Sequence, residues 1–434
     1  MKQISKRKLP ALVLAVCLII SNATMAFADA PTAQVQAPSL TAINTEITAT
    51  AEYLKNSANI NAASDFYNSS KLLIILLRSG INCSNLVDSY LSQVSATYIT
   101  NGQLTLTDPL TDYAYLSMVL ALAGKDATNF NGFNLIQKYE TAITNADQPT
   151  LNNINPYKLP HLYLAAYAYS TKFKDSTSCL TKLKTAILSY GDANGINYWG
   201  NSADNNGFSL SGLSILSSTD STIKTLVDNS ILFSQTLLQS DGTSSGDFNW
   251  TAYPNSDSTA ASLTLYSTYG KQDLAARSYA GLLTYKNTLQ TGAYSYTNAA
   301  DTASSYSTTD ALYSLISYRA VLANQSSPFD VSDILASGLI QTNKPETETA
   351  GIAPTLANDS TSIIDTASTI DTAPTIDTTS TINSATDLSK TSPATGDSDI
   401  MTIFFLISLI SACGVVAMIY TQYTQNMKNK RNDL

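Results

Sequence analysis

One pattern recurs six times between residues 41 and 325, and this repetition limits the possible folds more than any other feature of the chain. Each unit opens on a polar residue, usually Asp, followed by apolar residues at helical spacing and often a closing Gly. The first opens at Asp65, with Phe66, Leu72, Leu73, Leu76, Leu77 and Gly80, and the second at Asp112, with Tyr113, Leu116, Leu120, Leu122 and Gly124. The third and fourth open at His161 (Leu164, Tyr167) and Asp204 (Leu210, Leu213, Leu216). The fifth and sixth open at Asp257 (Ala260, Leu263, Leu265, Gly270) and Asp310 (Leu312, Leu315, Ile316). Second helical patterns lie near 41–56, 83–97, 131–144, 178–190, 221–239 and 272–290.

Two helices repeating roughly every 50 residues mark a repeat architecture. An open helical stack needs polar capping units, and neither end of this region reads as one. The first helix of each unit is the more apolar: residues 71–77 read KLLIILL. Such helices need walls on all sides, whereas their partners need one. The expected fold is therefore all-α, a closed α6/α6 toroid of six helical hairpins over 41–325 following a spacer at 29–40. An open helical array is the alternative.

The two ends carry targeting signals. Residues 1–28 read as a signal peptide, with Lys2, Lys6, Arg7 and Lys8 before an apolar core and Ala26-Phe27-Ala28 as the cleavage site. Residues 400–420 carry no charge and are long enough to cross a bilayer, and a basic tail at 421–434 follows. Residues 326–391 read as a linker and low-complexity stalk in which a hexapeptide recurs, as in Thr361-Ser362-Ile363-Ile364-Asp365-Thr366 and Ala367-Ser368-Thr369-Ile370-Asp371-Thr372. One Ile per turn buries too little to offset the entropy of ordering such a segment. Between stalk and apolar span stands Ser392-Pro393-Ala394-Thr395-Gly396. Pentapeptide, span and basic tail together resemble the sorting signal of Gram-positive surface proteins, x-P-x-T-G, with Ser392 where the commonest version has Leu. The resemblance implies that a sortase cuts between Thr395 and Gly396 and joins Thr395 to peptidoglycan. The product would be secreted and covalently attached to the cell wall, meeting the membrane only transiently through 400–420. A permanent single-span protein is the plainer alternative.

Charge excludes some functions. The formal net charge is −9, from 33 acids against 24 bases, which argues against nucleic acid as a partner because phosphate binding needs clustered Lys and Arg. A single histidine cannot build a multi-His metal centre, and neither metal nor cofactor is expected. Cys83 and Cys179 fall on the second and fourth outer helices, too far apart around a ring to be bridged, so two free thiols are expected.

The turns of the region resemble those of the terpenoid cyclase/protein prenyltransferase superfamily of α/α toroids. The residues that carry this are Gln239-Ser240-Asp241-Gly242 with Phe248 and Trp250, leading to Asp257-Ser258-Thr259-Ala260. A second copy runs from Leu289-Gln290-Thr291-Gly292-Ala293-Tyr294-Ser295-Tyr296 to Ser307-Thr308-Thr309-Asp310, and a third from Gly195 through Tyr198-Trp199 to Asp204-Asn205-Asn206-Gly207. The superfamily's Asp-rich D-D-x-x-D and D-x-D-D motifs and its thioester C-G-E-Q are absent, and no Cys stands near His161 to complete a zinc site. The resemblance thus implies a fold more than a reaction.

In such a barrel the inner-helix N-termini converge on one mouth, which would gather Asp65, Asp112, Asp204, Asp257 and Asp310 there. Each reads either as an N-cap or as one of a facing acid–base pair. Asp257 and Asp310 are the pair to expect, with His161 as a possible base. Only five of the acids are Glu and none lies on an expected inner helix, so any such chemistry falls to Asp. Trp199, Trp250, Tyr294 and Tyr296 lie in rim turns, either as turn packing or as a stacking platform. The expected ligand contacts are Asp204, Asp257, Asp310, Trp199, Trp250 and Tyr296. The sequence favours a binding or adhesion module for a glycan, a small apolar ligand or a host protein. A secreted glycoside hydrolase or polysaccharide lyase is the alternative.

Overall fold

The computed structural model describes residues 36–246 and 253–338. These belong to the first of two units, Met1–Thr349 and Ala350–Leu434. The expected signal peptide, most of the stalk, the pentapeptide at 392–396, the apolar span and the basic tail lie outside the described residues, as does Trp250.

The described residues are mainly helical. They form α1 (Leu40–Ser57), α2 (Phe66–Ser79), α3 (Ser84–Tyr98), α4 (Pro109–Leu122), α5 (Leu135–Asn145) and the short α6 (Gln148–Asn152). Then follow α7 (Leu159–Ala168), α8 (Ser176–Leu188), α9 (Ala203–Ser209), the one-turn α10 (Ser214–Ser217) and α11 (Ser221–Leu237). The last are α12 (Ser256–Thr268), α13 (Gln272–Leu283), α14 (Ser305–Leu322) and α15 (Ser332–Ala336). Strands are confined to three two-residue antiparallel pairs in turns. No helix among the described residues is long and apolar enough to cross a membrane.

Two kinds of helix alternate. Every residue of α4 from Thr111 to Ala121, and of α12 from Ser258 to Ser267, is buried. In α1 only the stripe Ile43, Ile47, Thr50, Ala51 and Leu54 is covered, the spacing of a helix packed on one side. The enclosed helices meet in succession: α2 packs on α4, α4 on α7, α9 on α12, α12 on α14, and α14 on α2. Between the segment entering α7 and α9 the link is made by side chains, Tyr157 Oη donating to Asn205 Oδ1 at 2.6 Å.

The one-sided helices are joined by their turns. The turn after α11 lies on α13, where a Cβ on Gly242 would sit 2.1 Å from Arg277 O. The turn after α13 lies on α1 in the same way: at Gly292 φ is +84° and a Cβ would sit 2.2 Å from Ala49 O, so only glycine serves. Tyr53 Oη donates to Gln290 Oε1 at 2.8 Å across that seam, and Lys286 Nζ stands 2.7 Å from Glu46. The last hairpin therefore touches the first helix of the region.

Three features depart from the sequence reading. The fourth enclosed helix is broken: α9 stops at Ser209 and one turn re-forms as α10, while Leu210 and Leu213 stay buried. Gly212 (φ +75°), packed against Ser327 and Leu164, makes the break. The sixth enclosed helix starts at Ser305, so Asp310 stands in its second turn rather than at its start. The folded chain also runs past 325: Phe329 and Val331 are buried, and α15 packs across α4 and α7. Arg78 Nη1 holds Asp333 Oδ2 at 2.8 Å. Cys83 and Cys179 are both buried and free.

Candidate functional site

Helix capping decides which carboxylates are available. Ser202, Asn255 and Ser304 cap α9, α12 and α14, accepting from Asn205 N (3.0 Å), Ser258 N (2.9 Å) and Ser307 N (3.1 Å). Asp204 and Asp257, two residues further on, and Asp310 are thereby relieved of capping, contrary to the N-cap reading. That reading holds for Asp65, which accepts from Asn68 N at 3.3 Å. At α4 the cap is Asp108, which accepts from Thr111 N at 3.3 Å, and Asp112 reaches back to accept from Asp108 N at 2.9 Å, so both acids are spent on donors at the helix start. Burial pushes the Asp112 carboxyl up to about 6.

Asp204, Asp257 and Asp310 line one cavity of about 310 Å³. α2 supplies Tyr67 and Lys71, the segment entering α7 supplies Tyr157, and α7 itself supplies His161. Phe208, Tyr296 and Tyr313 complete its aromatic wall. A roomier groove of about 1110 Å³ runs along α5 and the start of α4, but it gathers no comparable set of charged and aromatic groups.

Inside the cavity Lys71 Nζ lies 3.2 Å from Asp310 Oδ1 and 5.9 Å from the centre of the Phe208 ring. Burial disfavours the lysine's charge, but Asp310, Tyr67 and Asp257 outweigh it and hold its pKa above the ordinary value. Asp204 Oδ2 accepts from Ser258 Oγ at 3.1 Å, while its Oδ1 is shielded from solvent and has no hydrogen-bond partner among the described residues. Burial, and then repulsion from Asp257, raise Asp204 to about 7. Asp257 Oδ1 accepts from Ser256 Oγ at 3.1 Å, and burial followed by repulsion from Asp310 raises it to about 6.

His161 closes the inner end. Its ring stacks on Phe329 at 3.6 Å, its Nδ1 meets Tyr115 Oη at 2.5 Å, and its Nε2 lies 3.5 Å from Tyr313 Oη. Burial, with Lys71 nearby, drives its pKa well below the ordinary value and keeps the ring neutral. It caps nothing, since Lys158 holds that position.

The rim aromatics part company. Tyr296 lines the cavity, with the Tyr253 ring 6.5 Å away. Tyr294 is fully buried, its N–H donating to Thr308 Oγ1 at 2.9 Å, so it packs the turn. Trp199 lies outside the cavity, 89% exposed and at φ +59°. Its ring stacks on Tyr198 at 5.0 Å, and Tyr198 in turn lies 6.3 Å from Tyr157 on the cavity wall. Asn205 holds this turn, donating to Tyr198 O at 3.1 Å and Gly200 O at 2.7 Å.

Five expected residues, Asp204, Asp257, Asp310, His161 and Tyr296, thus meet in one place, and Asp65 and Asp112 do not join them. Lys71, Tyr67, Tyr157, Phe208 and Tyr313 were not foreseen. For Lys71 a signal existed: a lone charge heading the run KLLIILL must find a buried acid. Among the described residues no three His, Cys, Asp or Glu side chains come together closely enough to hold a metal ion. Compared with known proteins, the chain matches no family model, no curated protein and no solved structure.

Proposed function

We propose that this chain is a wall-anchored extracellular protein whose helical region, an α6/α6 toroid, binds a glycan at the mouth formed by its enclosed helices. The succession of contacts from α2 round to α14 and back to α2, together with the Gly292 seam onto α1, supports a closed ring over an open array. The pentapeptide, apolar span and basic tail support the anchor, and residues 1–28 support export.

The observation that carries the binding reading is the cavity. Aromatic faces give a sugar ring apolar surface, and carboxylates and Tyr hydroxyls accept its hydrogen bonds. Its volume, about 310 Å³, sits at the small end of ligand sites, which run from roughly 300 Å³ upward. A glycan array probed with the full-length protein tests this. Binding should occur and should weaken at least tenfold in Phe208→Ala, whereas binding indifferent to that change contradicts the reading.

A second reading is favoured by one observation, the raised carboxyls of Asp204 and Asp257 in an aromatic-lined cleft. A protonated acid beside an ionised one is the apparatus of glycoside hydrolysis. Reducing ends released from an array-positive glycan, and abolished in Asp204→Asn, would move the protein into that class.

A further inference from the structure

Resting on the binding reading above, we infer that the cavity takes a positively charged ligand, an amino sugar or a primary amine of similar size, with its ammonium between Asp204 and Asp257. Three carboxylates share the space with one ammonium, and that one, Lys71, is engaged by Asp310 at 3.2 Å. Asp204 faces the charge of Asp257 and Asp257 that of Asp310, with serine hydroxyls as their hydrogen-bond donors, Ser258 to the one and Ser256 to the other. Asp204 Oδ1 is shielded from solvent and takes no hydrogen bond among the described residues. A buried acceptor without a donor is costly, and an N–H⁺ group, met by a turn of the Asp204 carboxylate toward the cavity, supplies the donor and the charge together.

A metal ion does not fit the vacancy in charge, because no three ligating side chains among the described residues converge on one point. An organic ammonium asks for less: hydrogen bonds to separated carboxylates and aromatic faces within about 6 Å. Tyr157, Phe208 and Tyr296 provide those faces. The limited volume restricts the occupant to about one ring. Burial raises each carboxyl's affinity for its proton, helped at Asp204 by the charge of Asp257 and at Asp257 by that of Asp310, so a bound cation competes with those protons. Lys71, which faces Asp257 as well as Asp310, and the neutral His161 are the other titratable nitrogens facing the space, and one ammonium against three carboxyls leaves an excess of acid.

Calorimetric titration of the full-length protein with glucosamine, glucose and N-acetylglucosamine separates charge from shape. At pH 7.5 glucosamine should bind at least tenfold more tightly than either neutral sugar, and should lose that advantage at pH 5, where both carboxyls hold protons. Asp204→Asn should erase most of the preference, and if that variant fails to fold, the three-sugar comparison on the natural protein still decides. Neutral sugars binding as well as glucosamine would overturn the inference while leaving the binding reading intact. No binding by any of the three would overturn both.

Discussion

Among the described carboxylates, Asp204 is the one whose chemistry is most altered by its setting. Burial, with Asp257 beside it, holds its carboxyl protonated in the folded protein up to about pH 7, whereas in the unfolded chain it ionises near the ordinary 3.8. Between those values the folded state binds the extra proton, so stability falls as pH rises through that window and levels off above it. Asp257 and Asp112, each raised to about 6, act with the same sign. Thermal unfolding should therefore come at a higher temperature at pH 5 than at pH 8. Asp204→Asn should recover about 3–4 kcal/mol at pH 8 and a smaller amount, about 1–2 kcal/mol, at pH 5, since each pKa unit is worth about 1.4 kcal/mol; equal unfolding temperatures of the natural protein at the two pH values would refute this. At this scale the sequence is half legible. Asp204, Asp257 and Asp310 could be foreseen together because each sits near the start of an enclosed helix. The apolar run after Lys71 signals that it needs a buried acid, but the partner, Asp310, could not be picked because the two are 239 positions apart.

Among the elements, helix existence was read correctly from period alone, since a buried stripe or a fully buried run leaves its spacing in the sequence. Ends and breaks were not, because they depend on contacts remote in the chain. The break at Gly212 is set by Ser327 and Leu164, and the chain beyond 325 is ordered by Phe329 against His161 and by Arg78 against Asp333. Composition changes gradually there, which hid the boundary. Phe329 is fully buried, so Phe329→Ala should cost about 3–5 kcal/mol in denaturant unfolding. A loss below about 1 kcal/mol would mean that this segment merely rests on the helices. Gly292→Ala should also destabilise, by about 2–4 kcal/mol, since it combines a left-handed residue with a Cβ 2.2 Å from backbone oxygen. Gly80→Ala, where φ is +89° but nothing lies within 4 Å, should cost less.

At the scale of the whole helical region, the site exists because hairpins distant in sequence bring the first turns of their enclosed helices to one point. That convergence makes a cavity out of residues which singly would be caps or surface acids, and it explains why Asp257 influences the protonation of Asp204 at all. The most direct measurement is a carbon-detected NMR titration of the Asp side chains in the natural protein and in Asp257→Asn. Asp204 should titrate near 7 in the first and at a clearly lower pH in the second, once the neighbouring charge is gone. An Asp204 that titrates near 4 in both proteins would contradict the convergence and the cavity built on it.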